Sequence, residues 1–270
     1  MPDDRVTYLV QDHVASITFD RPEKLNAITF AMRDQFVSLL DAAADDADVR
    51  AVVIQGAGST FTSGVDVSDH VEVQDPAGTT FEGDIAEITS SAETWARLWA
   101  LPKPVVVKAR GHCAGWGLEI AFFADFVISS LDCQFFFPSI RNGSGLPDSA
   151  MAIYHLGPQW AKRLLLTGDA LDGATAARIG LVLDAVPDDA LDETVAALAS
   201  RLTALPAELA AQSKAVVNHA IDLMGRVALQ DYAARANATA RRSPEAHEWG
   251  RILRDEGLPA AIAWRESRRG

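Results

Sequence analysis

The sequence predicts a layered α/β domain followed by a helical C-terminal region. Two strand–glycine–helix units predict the α/β part. In the first, the apolar run 51–54 is followed by a glycine-broken loop and residues 64–67, and in the second the run 105–107 leads through a similar loop into residues 115–119. The units begin 54 positions apart, which indicates a repeated structural unit. From about Asp188 onward the chain is rich in Ala, Leu and Arg, with a helical pattern.

The composition is typical of a globular protein with an acidic surface. Of 270 residues, 49% are hydrophobic and 23% charged, and the formal net charge is -13. This charge disfavours nucleic acid as a partner, because a broad acidic surface repels phosphate. No apolar run is long enough to span a membrane and no signal-peptide pattern opens the chain, so we expect a cytoplasmic protein that does not bind membranes.

Cysteine and histidine usage argues against a disulfide framework and a metal site. Cys113 and Cys133 are the only cysteines, which suits a reducing compartment. The six histidines have no metal-binding spacing, and the chain has no Gly-x-Ser-x-Gly nucleophile elbow. We therefore expect neither a bound metal nor a serine hydrolase of that type.

The first elements along the chain are a hairpin, a helix and a strand. Alternating apolar residues at 6–10 and, more loosely, at 14–19 predict the hairpin. Thr29 can cap the helix that follows, in which apolar side chains recur at helical spacing up to Ala43. The strand that begins at Ala51 comes next.

The middle of the chain predicts a loop, two helices and further strands. Polar residues 71–83 indicate a mobile loop, and a helix is expected over about 85–101 because two prolines follow it. The second glycine loop leads into an apolar helix that ends near Ala124. Further strands are predicted at residues 126–128 and 135–137.

The two glycine-broken loops indicate a shared function. Glycines just beyond a strand let the backbone turn sharply and expose amide N–H groups. One such turn is a weak anion site, since many α/β proteins have one. Two turns could converge on a single oxygen that gains negative charge during a reaction, which is the geometry of an oxyanion hole.

Six segments resemble the crotonase superfamily, also called the enoyl-CoA hydratase/isomerase family, in the family's order and over nearly the whole chain. They are Arg21-Pro22-x-x-Leu25-Asn26-Ala27, Phe61-Thr62-Ser63-Gly64-Val65-Asp66, Gly111-His112-Cys113-Ala114-Gly115-Trp116-Gly117-Leu118-Glu119, Ala124-Asp125, Leu166-Thr167-Gly168-Asp169-Ala170 and Ala176-Ala177-Arg178-Ile179-Gly180-Leu181-Val182. The resemblance implies a crotonase-like spiral of repeated ββα units over residues 1–190. It also implies that residues 191–270 form a helical region for trimerisation and part of the CoA site.

The same resemblance implies an acyl-CoA thioester substrate, with coenzyme A as part of the substrate and no permanently bound cofactor. It further implies a homotrimer or a dimer of trimers. The two backbone N–H groups that would bind the thioester oxygen as it becomes an enolate fall on Val65 and Trp116. The family commonly has a glycine at the position of Trp116, where an indole would narrow the acyl pocket or tilt the turn.

Glu119 is the first candidate for acid–base chemistry. Its neighbours on the predicted helix are apolar, and a carboxylate there is costly to bury unless it is paired or protonated. From the helix alone it could equally be a first-turn acid that the helix dipole favours. The resemblance assigns it to one of the hydratase family's two catalytic glutamates. The second falls on Ser139, which cannot act as a carboxylic acid, so the usual hydratase pair is incomplete.

Asp148 is the candidate replacement for the missing carboxylate. It follows Pro147 and precedes a helical segment, and such an aspartate is commonly a cap or turn residue. Against that interpretation, the chain resembles dienoyl-CoA isomerases and the aryl-CoA dehalogenase, which have a catalytic aspartate at about this point.

Six further residues are candidates for binding CoA or substrate by resemblance. Lys24 matches a region that the family uses for the CoA nucleotide, although an exposed lysine often serves only solubility. Arg265 resembles a C-terminal basic residue that approaches CoA; without the resemblance, it belongs to a solvated helix end. The remaining candidates are Ala27, Ser63, Asp66 and Val67.

These observations together predict an enzyme acting on an α,β- or β,γ-unsaturated acyl-CoA. Glu119 would transfer a proton and Asp148 would be the second acid or base. Two alternatives stay open: a hydrolase that cleaves a carbon–carbon bond or a thioester with the same oxyanion hole, and a homologue that binds acyl-CoA without turnover.

Overall fold

The computed structural model describes residues 5–68, 79–142 and 145–268. Its main sheet has six strands in the order β1-β2-β3-β4-β6-β9, in which β1 and β2 are antiparallel and the later neighbours are parallel. The strands are β1 (Val6–Gln11), β2 (Val14–Phe19), β3 (Ala51–Gly56), β4 (Val105–Ala109), β6 (Phe126–Ser130) and β9 (Asp184–Val186). The predicted hairpin and the strands at 51, 105 and 126 are all present.

A second, smaller sheet runs beside the first and consists of β5 (His112–Ala114), β7 (Gln134–Phe136) and β8 (Leu171–Asp172). Strands β4 and β5 follow one another along the chain but belong to different sheets, as do β6 and β7. A bridge between Thr62 and Cys113 continues the pairing of the second sheet into the loop after β3. Successive turns of chain therefore add one strand to each sheet, which is the repeated spiral that the resemblance implied.

The helices of the spiral cover both faces of the main sheet. They are α1 (Phe30–Asp45), α2 (Phe81–Ala100), α3 (Trp116–Phe123), α4 (Ser139–Asn142), α5 (Ala152–Thr167), α6 (Gly173–Ile179) and α7 (Asp188–Thr203). Successive side chains along a strand point to opposite faces of the sheet, so neighbouring residues pack in different cores. Val52 belongs to the large core, whereas Val53 packs in a second core with Leu191 and Val195 of α7. Helix α7 crosses the predicted boundary after residue 190 and packs on the main sheet.

The C-terminal region is helical throughout its described part, as predicted. It contains α8 (Ala207–Leu223), α9 (Arg226–Ala240), α10 (Pro244–Glu256) and α11 (Leu258–Ser267). Helix α9 packs on α2 through a small apolar cluster of Ile88, Ala234 and Ala238. Helices α10 and α11 pack on each other, with the rings of Trp249 and Trp264 in contact, and Val67 of the first glycine loop packs against the apolar cluster that they form. None of the helices within the described ranges is long and apolar enough to cross a membrane.

Two local predictions were wrong. Helix α2 begins at Phe81 rather than at about residue 85, because the Thr80 hydroxyl accepts a hydrogen bond from the Gly83 amide and caps the helix one turn earlier. The first glycine loop does not lead directly into a helix, because Val65 forms a parallel bridge with Ile28 instead. Most of the loop predicted over 71–83 lies outside the described residues.

Candidate functional site

The two glycine loops lie against each other. The Thr62 amide donates to the His112 carbonyl at 2.9 Å, and the Ala114 amide donates to the Thr62 carbonyl at 3.1 Å. Gly64 and Gly115 both have positive φ, at 97° and 52°. A Cβ atom added to Gly64 would lie 2.7 Å from the Ala114 carbonyl oxygen, too close for any side chain. Glycine is therefore needed both for the turns and for their close approach.

The first loop is held in its turn by a buried polar cluster. Asn26 is fully buried, and its side-chain amide donates to the Ala57 carbonyl at 2.9 Å and to the Thr60 carbonyl at 2.7 Å. The Thr62 hydroxyl donates to the Asn26 carbonyl at 2.7 Å and accepts from the Gly64 amide at 3.0 Å. These hydrogen bonds fix the backbone immediately before Val65.

The backbone amides of Val65 and Trp116 belong to the two touching loops. The bridge beside Val65 uses the Ile28 amide with the Gly64 carbonyl and the Ile28 carbonyl with the Asp66 amide, and so leaves the Val65 amide out of the pairing. Trp116 is the first residue of α3. Amides in the first turn of a helix point out of its N-terminal end, where they can meet a ligand.

A cavity of about 140 Å³ opens beside these two loops. Its lining comes from the first loop, from α3, from the start of α4 and from the loop that precedes α5. The lining residues are Ser63, Val65, Val67, Gly115, Trp116, Glu119, Phe137, Pro138, Ser139, Leu146, Pro147, Asp148 and Arg241. The cavity therefore brings together Val65, Asp148 and two residues of α3, Trp116 and Glu119, from three separate segments of the sequence.

Glu119 is fully buried in the first turn of α3. One carboxylate oxygen accepts a hydrogen bond from the Ser149 amide at 3.1 Å, and the other accepts one from the Ser149 hydroxyl. Burial, and secondarily the charge of Asp148, raises the pKa of Glu119 from 4.5 to about 8, against the opposing effect of the Ser149 hydrogen bonds. Near neutral pH this side chain therefore holds a proton that it can give up.

Asp148 faces the same cavity from the loop opposite α3. One of its oxygens, Oδ2, accepts from the Ser91 hydroxyl at 2.6 Å and from the Trp116 indole N–H at 3.0 Å. The other, Oδ1, lies 3.9 Å from the Arg241 guanidinium, which also pairs with Glu87. The side chain is nearly buried. Its carboxylate is oriented by contacts from three segments: α2, α3 and the end of α9.

The indole of Trp116 closes one side of the cavity. Its ring is in edge contact with Phe30 at 5.7 Å and with Trp95 at 5.4 Å between ring centroids, and it is 6% exposed. Aromatic edge contacts of this kind hold a ring in one orientation. Ser139 also lines the cavity, at the first residue of α4, where the resemblance implied a glutamate.

The remaining candidate residues divide into two groups. Ser63 and Val67 line the cavity. The others lie outside it: Lys24 is exposed on a single turn of 3-10 helix, and Arg265 pairs with Glu266 on α11.

The Arg21 side chain donates hydrogen bonds to both Ala27 and Asp66. Arg21 donates to the Ala27 carbonyl at 3.3 Å and to the Asp66 carboxylate at 2.5 Å. Burial, the largest single effect, would raise the pKa of Asp66, but the Arg21 guanidinium and the hydrogen bonds from Ser68 together outweigh it and lower the pKa below its ordinary value.

Sequence reasoning missed the residues that surround the two carboxylates. Ser149 directly follows Asp148, yet nothing in its sequence context marked it as a partner of Glu119. Ser91, Arg241 and the α9 residues that contact this loop are between 57 and 93 positions distant from their partners in the loop. Only the packing of α2 and α9 brings these groups together.

Comparisons with known proteins agree with this architecture. Residues 10–247 match the family model described as enoyl-CoA hydratase/isomerase. The chain is 31% identical over 194 residues to the 2,3-dehydroadipyl-CoA hydratase of Escherichia coli, covering 71% of this chain and 73% of that protein. It is 30% identical over 217 residues to the (E)-benzylidenesuccinyl-CoA hydratase of Thauera aromatica, covering 78% of this chain and 82% of the relative.

Solved structures resemble the chain over almost its whole length. An enoyl-CoA hydratase/isomerase from Xanthobacter autotrophicus superimposes with a TM-score of 0.91 at 30% identity, covering 98% of both chains. An enoyl-CoA hydratase from Mycobacterium smegmatis gives a TM-score of 0.90 at 32% identity, covering 98% of this chain and 94% of the other.

Proposed function

The chain belongs to the enoyl-CoA hydratase/isomerase family, and from that premise we propose that it hydrates the α,β double bond of an enoyl-CoA thioester. The observation that carries the proposal is the meeting of two carboxylates, Glu119 and Asp148, in one cavity beside the amides of Val65 and Trp116. Coenzyme A enters only as part of the substrate.

The first part of the proposed mechanism is electrostatic. Attack at the β-carbon moves charge onto the thioester oxygen, which becomes an enolate oxygen. The Val65 and Trp116 amides would donate hydrogen bonds to that oxygen as its charge develops. Donors fixed in advance by glycine turns stabilise such charge without reorganising during the reaction.

The second part is proton transfer between the two carboxyl groups and the substrate. The Asp148 carboxylate would accept a proton from water, whose oxygen forms the new bond to the β-carbon. Protonated Glu119 would deliver its proton to the α-carbon of the enolate. Asp148 then passes the proton that it took from water to Glu119, so that the elements of water have been added to the double bond and both groups are restored. The raised pKa of Glu119 supports the role of donor near neutral pH.

Isomerisation is the second candidate, and Ser139 favours it. A serine at the edge of the cavity replaces the second carboxyl group implied by the resemblance. Ionised Glu119 alone could then take a proton from the α-carbon of a β,γ-enoyl thioester and deliver it to the γ-carbon, with the same amides holding the enolate oxygen. This reaction needs no water.

The site for the CoA moiety and the assembly remain proposals as well. We propose that Lys24, Ala27, Asp66 and Arg265 contact the CoA portion, while Ser63 and Val67 flank the thioester. We further propose a cytoplasmic homotrimer, or a dimer of such trimers, built through the helical region. Size-exclusion chromatography with light scattering measures the mass of the assembly and tests that part independently.

The testing experiment is a screen of short, long and cyclic enoyl-CoA thioesters with mass analysis of the products. Hydration adds 18 mass units and isomerisation adds none, whereas release of free CoA would identify a hydrolase. Replacing Glu119 by Gln is expected to lower kcat by about 100-fold or more, because a positioned general acid contributes that much. The control is Glu193→Gln on the exposed face of α7, which should leave kcat unchanged. Tight binding without any product, or full activity of E119Q, would refute the proposal.

A further inference from the structure

Helix α9 reaches the loop that carries Asp148 with two amide side chains. Gln230 and Asn237 are seven positions apart, which corresponds to two helical turns and about 10 Å along the axis, on one face. Together they make four hydrogen bonds to the backbone of residues 146–150.

Asn237 binds the start of this loop. It is fully buried; its oxygen accepts from the Leu146 amide at 2.8 Å, and its amide nitrogen donates to the Leu146 carbonyl at 3.0 Å. A Cβ atom on the preceding Gly145, whose φ is 117°, would lie 2.6 Å from the Asn237 oxygen. The glycine thus makes room for the asparagine, and both hydrogen-bonding functions of that side chain are used on one residue.

Gln230 binds the loop on both sides of Ser149. Its nitrogen donates to the Asp148 carbonyl at 2.6 Å, and its oxygen accepts from the Ala150 amide at 3.2 Å. Ser149, between these two anchors, donates both its amide and its hydroxyl to Glu119. The glutamine therefore holds in place the residue that binds the buried acid.

Helix α9 is itself fixed to α2, which contacts the same loop. The apolar contact of Ile88 with Ala234 and Ala238 joins the two helices, and Arg242 pairs with Asp84 at 2.7 Å. Ser91 of α2 donates to Asp148 at 2.6 Å. The two helices form one support behind the loop, and side chains held in this way position functional groups accurately.

We propose that Gln230 and Asn237 are positioning residues, which clamp the loop of residues 145–150 so that Asp148 and Ser149 stay in contact with Glu119. The inference rests on the proposed function for its kinetic consequence, but the clamp itself can be tested without substrate. Neither residue lines the cavity, so both act only through the loop.

The kinetic test uses the nearly isosteric variants Gln230→Met and Asn237→Leu, which remove the hydrogen bonds. Each is expected to lower kcat by about tenfold or more with little change in KM, because small misplacements of catalytic groups are costly. In an E119Q background the same substitutions should cost about twofold or less, since residues that act as a unit are non-additive. Equal losses in both backgrounds would overturn the proposal.

The matched control is Asn218→Leu on α8. Asn218 is also a nearly buried helical asparagine, but it donates to the Trp99 carbonyl at 2.8 Å and does not contact the loop. The substitution N218L should lower the free energy of unfolding while changing kcat by less than about twofold. If N237L does not fold, Q230M carries the test alone, because Gln230 is only half-buried.

Infrared difference spectroscopy tests the clamp in the absence of any substrate. The carboxyl band of Glu119, identified by its loss in E119Q, reports the pH at which this group titrates. Loosening the loop also weakens the Ser149 hydrogen bonds, but it admits water and withdraws Asp148, which are the larger effects on this pKa. The midpoint in Q230M and N237L should therefore fall by about one pH unit or more. An unchanged midpoint would overturn the clamp, whereas a shifted midpoint in a protein that turns over no acyl-CoA would refute only the proposed function.

Discussion

The buried carboxyl group of Glu119 makes a prediction about stability that needs no substrate. Its pKa is raised from 4.5 to about 8, chiefly by burial and then by Asp148. Between these two values the unfolded chain releases the proton while the folded chain retains it. The stability that this group contributes is therefore complete below pH 4.5 and is lost as pH rises towards 8. At 1.36 kcal/mol per unit, the full loss amounts to about 5 kcal/mol.

Replacing Glu119 by Gln removes the titrating proton and keeps the size of the side chain. The free energy of unfolding of E119Q, relative to the parent protein, is expected to rise by about 3 kcal/mol between about pH 5.5 and pH 7.5. Urea unfolding followed by circular dichroism at several pH values measures this difference. The exposed Glu193→Gln is the control, and its curve should run parallel to that of the parent.

The result that refutes this reasoning is a difference between E119Q and the parent that varies by less than about 1 kcal/mol over the same range. Glu119 would then titrate alike in the folded and unfolded chains. Such an outcome would also remove the support for a protonated donor near neutral pH.

Three further predictions concern residues around the site and its frame. Trp116→Phe removes the indole donor to Asp148 and should lower the free energy of unfolding by about 2 kcal/mol, measured by urea unfolding, because hydrogen bonds to charged groups contribute that much. Thr62→Val removes two hydrogen bonds of the first glycine turn and should lower kcat by about tenfold or more with little effect on KM, since it displaces one oxyanion donor. Lys214→Met leaves the largely buried Asp125 carboxylate without its lysine partner at 2.8 Å and should cost about 3 kcal/mol by the same unfolding assay. The double variant D125N/K214M should recover part of that loss, and a double variant no more stable than K214M would contradict the argument.

The central strands and the two glycine loops could be predicted from sequence because their causes are local, whereas the spiral that they form was implied by the family resemblance. A β-branched run makes a buried strand wherever it lies, and a glycine with positive φ makes a turn beside it. Gly64 and Gly115 both have positive φ. The one failure there has an equally physical cause: beyond Gly64 the backbone pairs with Ile28 across the fold, and local pattern does not report such a partner.

The environment of the Glu119 carboxyl group could not be predicted, because it depends on contacts between residues that are distant in sequence. Glu119 was recognised as a costly carboxylate on an apolar helix, but whether Asp148 faces it depends on a loop held from α9. The Leu146 and Asn237 contacts span 91 positions, and those of Asp148 and Gln230 span 82. A periodic pattern in the sequence cannot reveal a contact between residues that lie so far apart along the chain.

The site therefore combines two parts with different physical origins. The proposed oxyanion donors are backbone amides, and glycine turns fix them whatever side chain occupies position 65 or 116. The protonation of Glu119, by contrast, depends on burial and on the charge of Asp148, both of which depend on how α9 holds the loop. Substitutions on α9 should therefore change the pH dependence of the reaction while the motifs in the sequence stay the same. A comparison of family members by motif alone would not detect that difference.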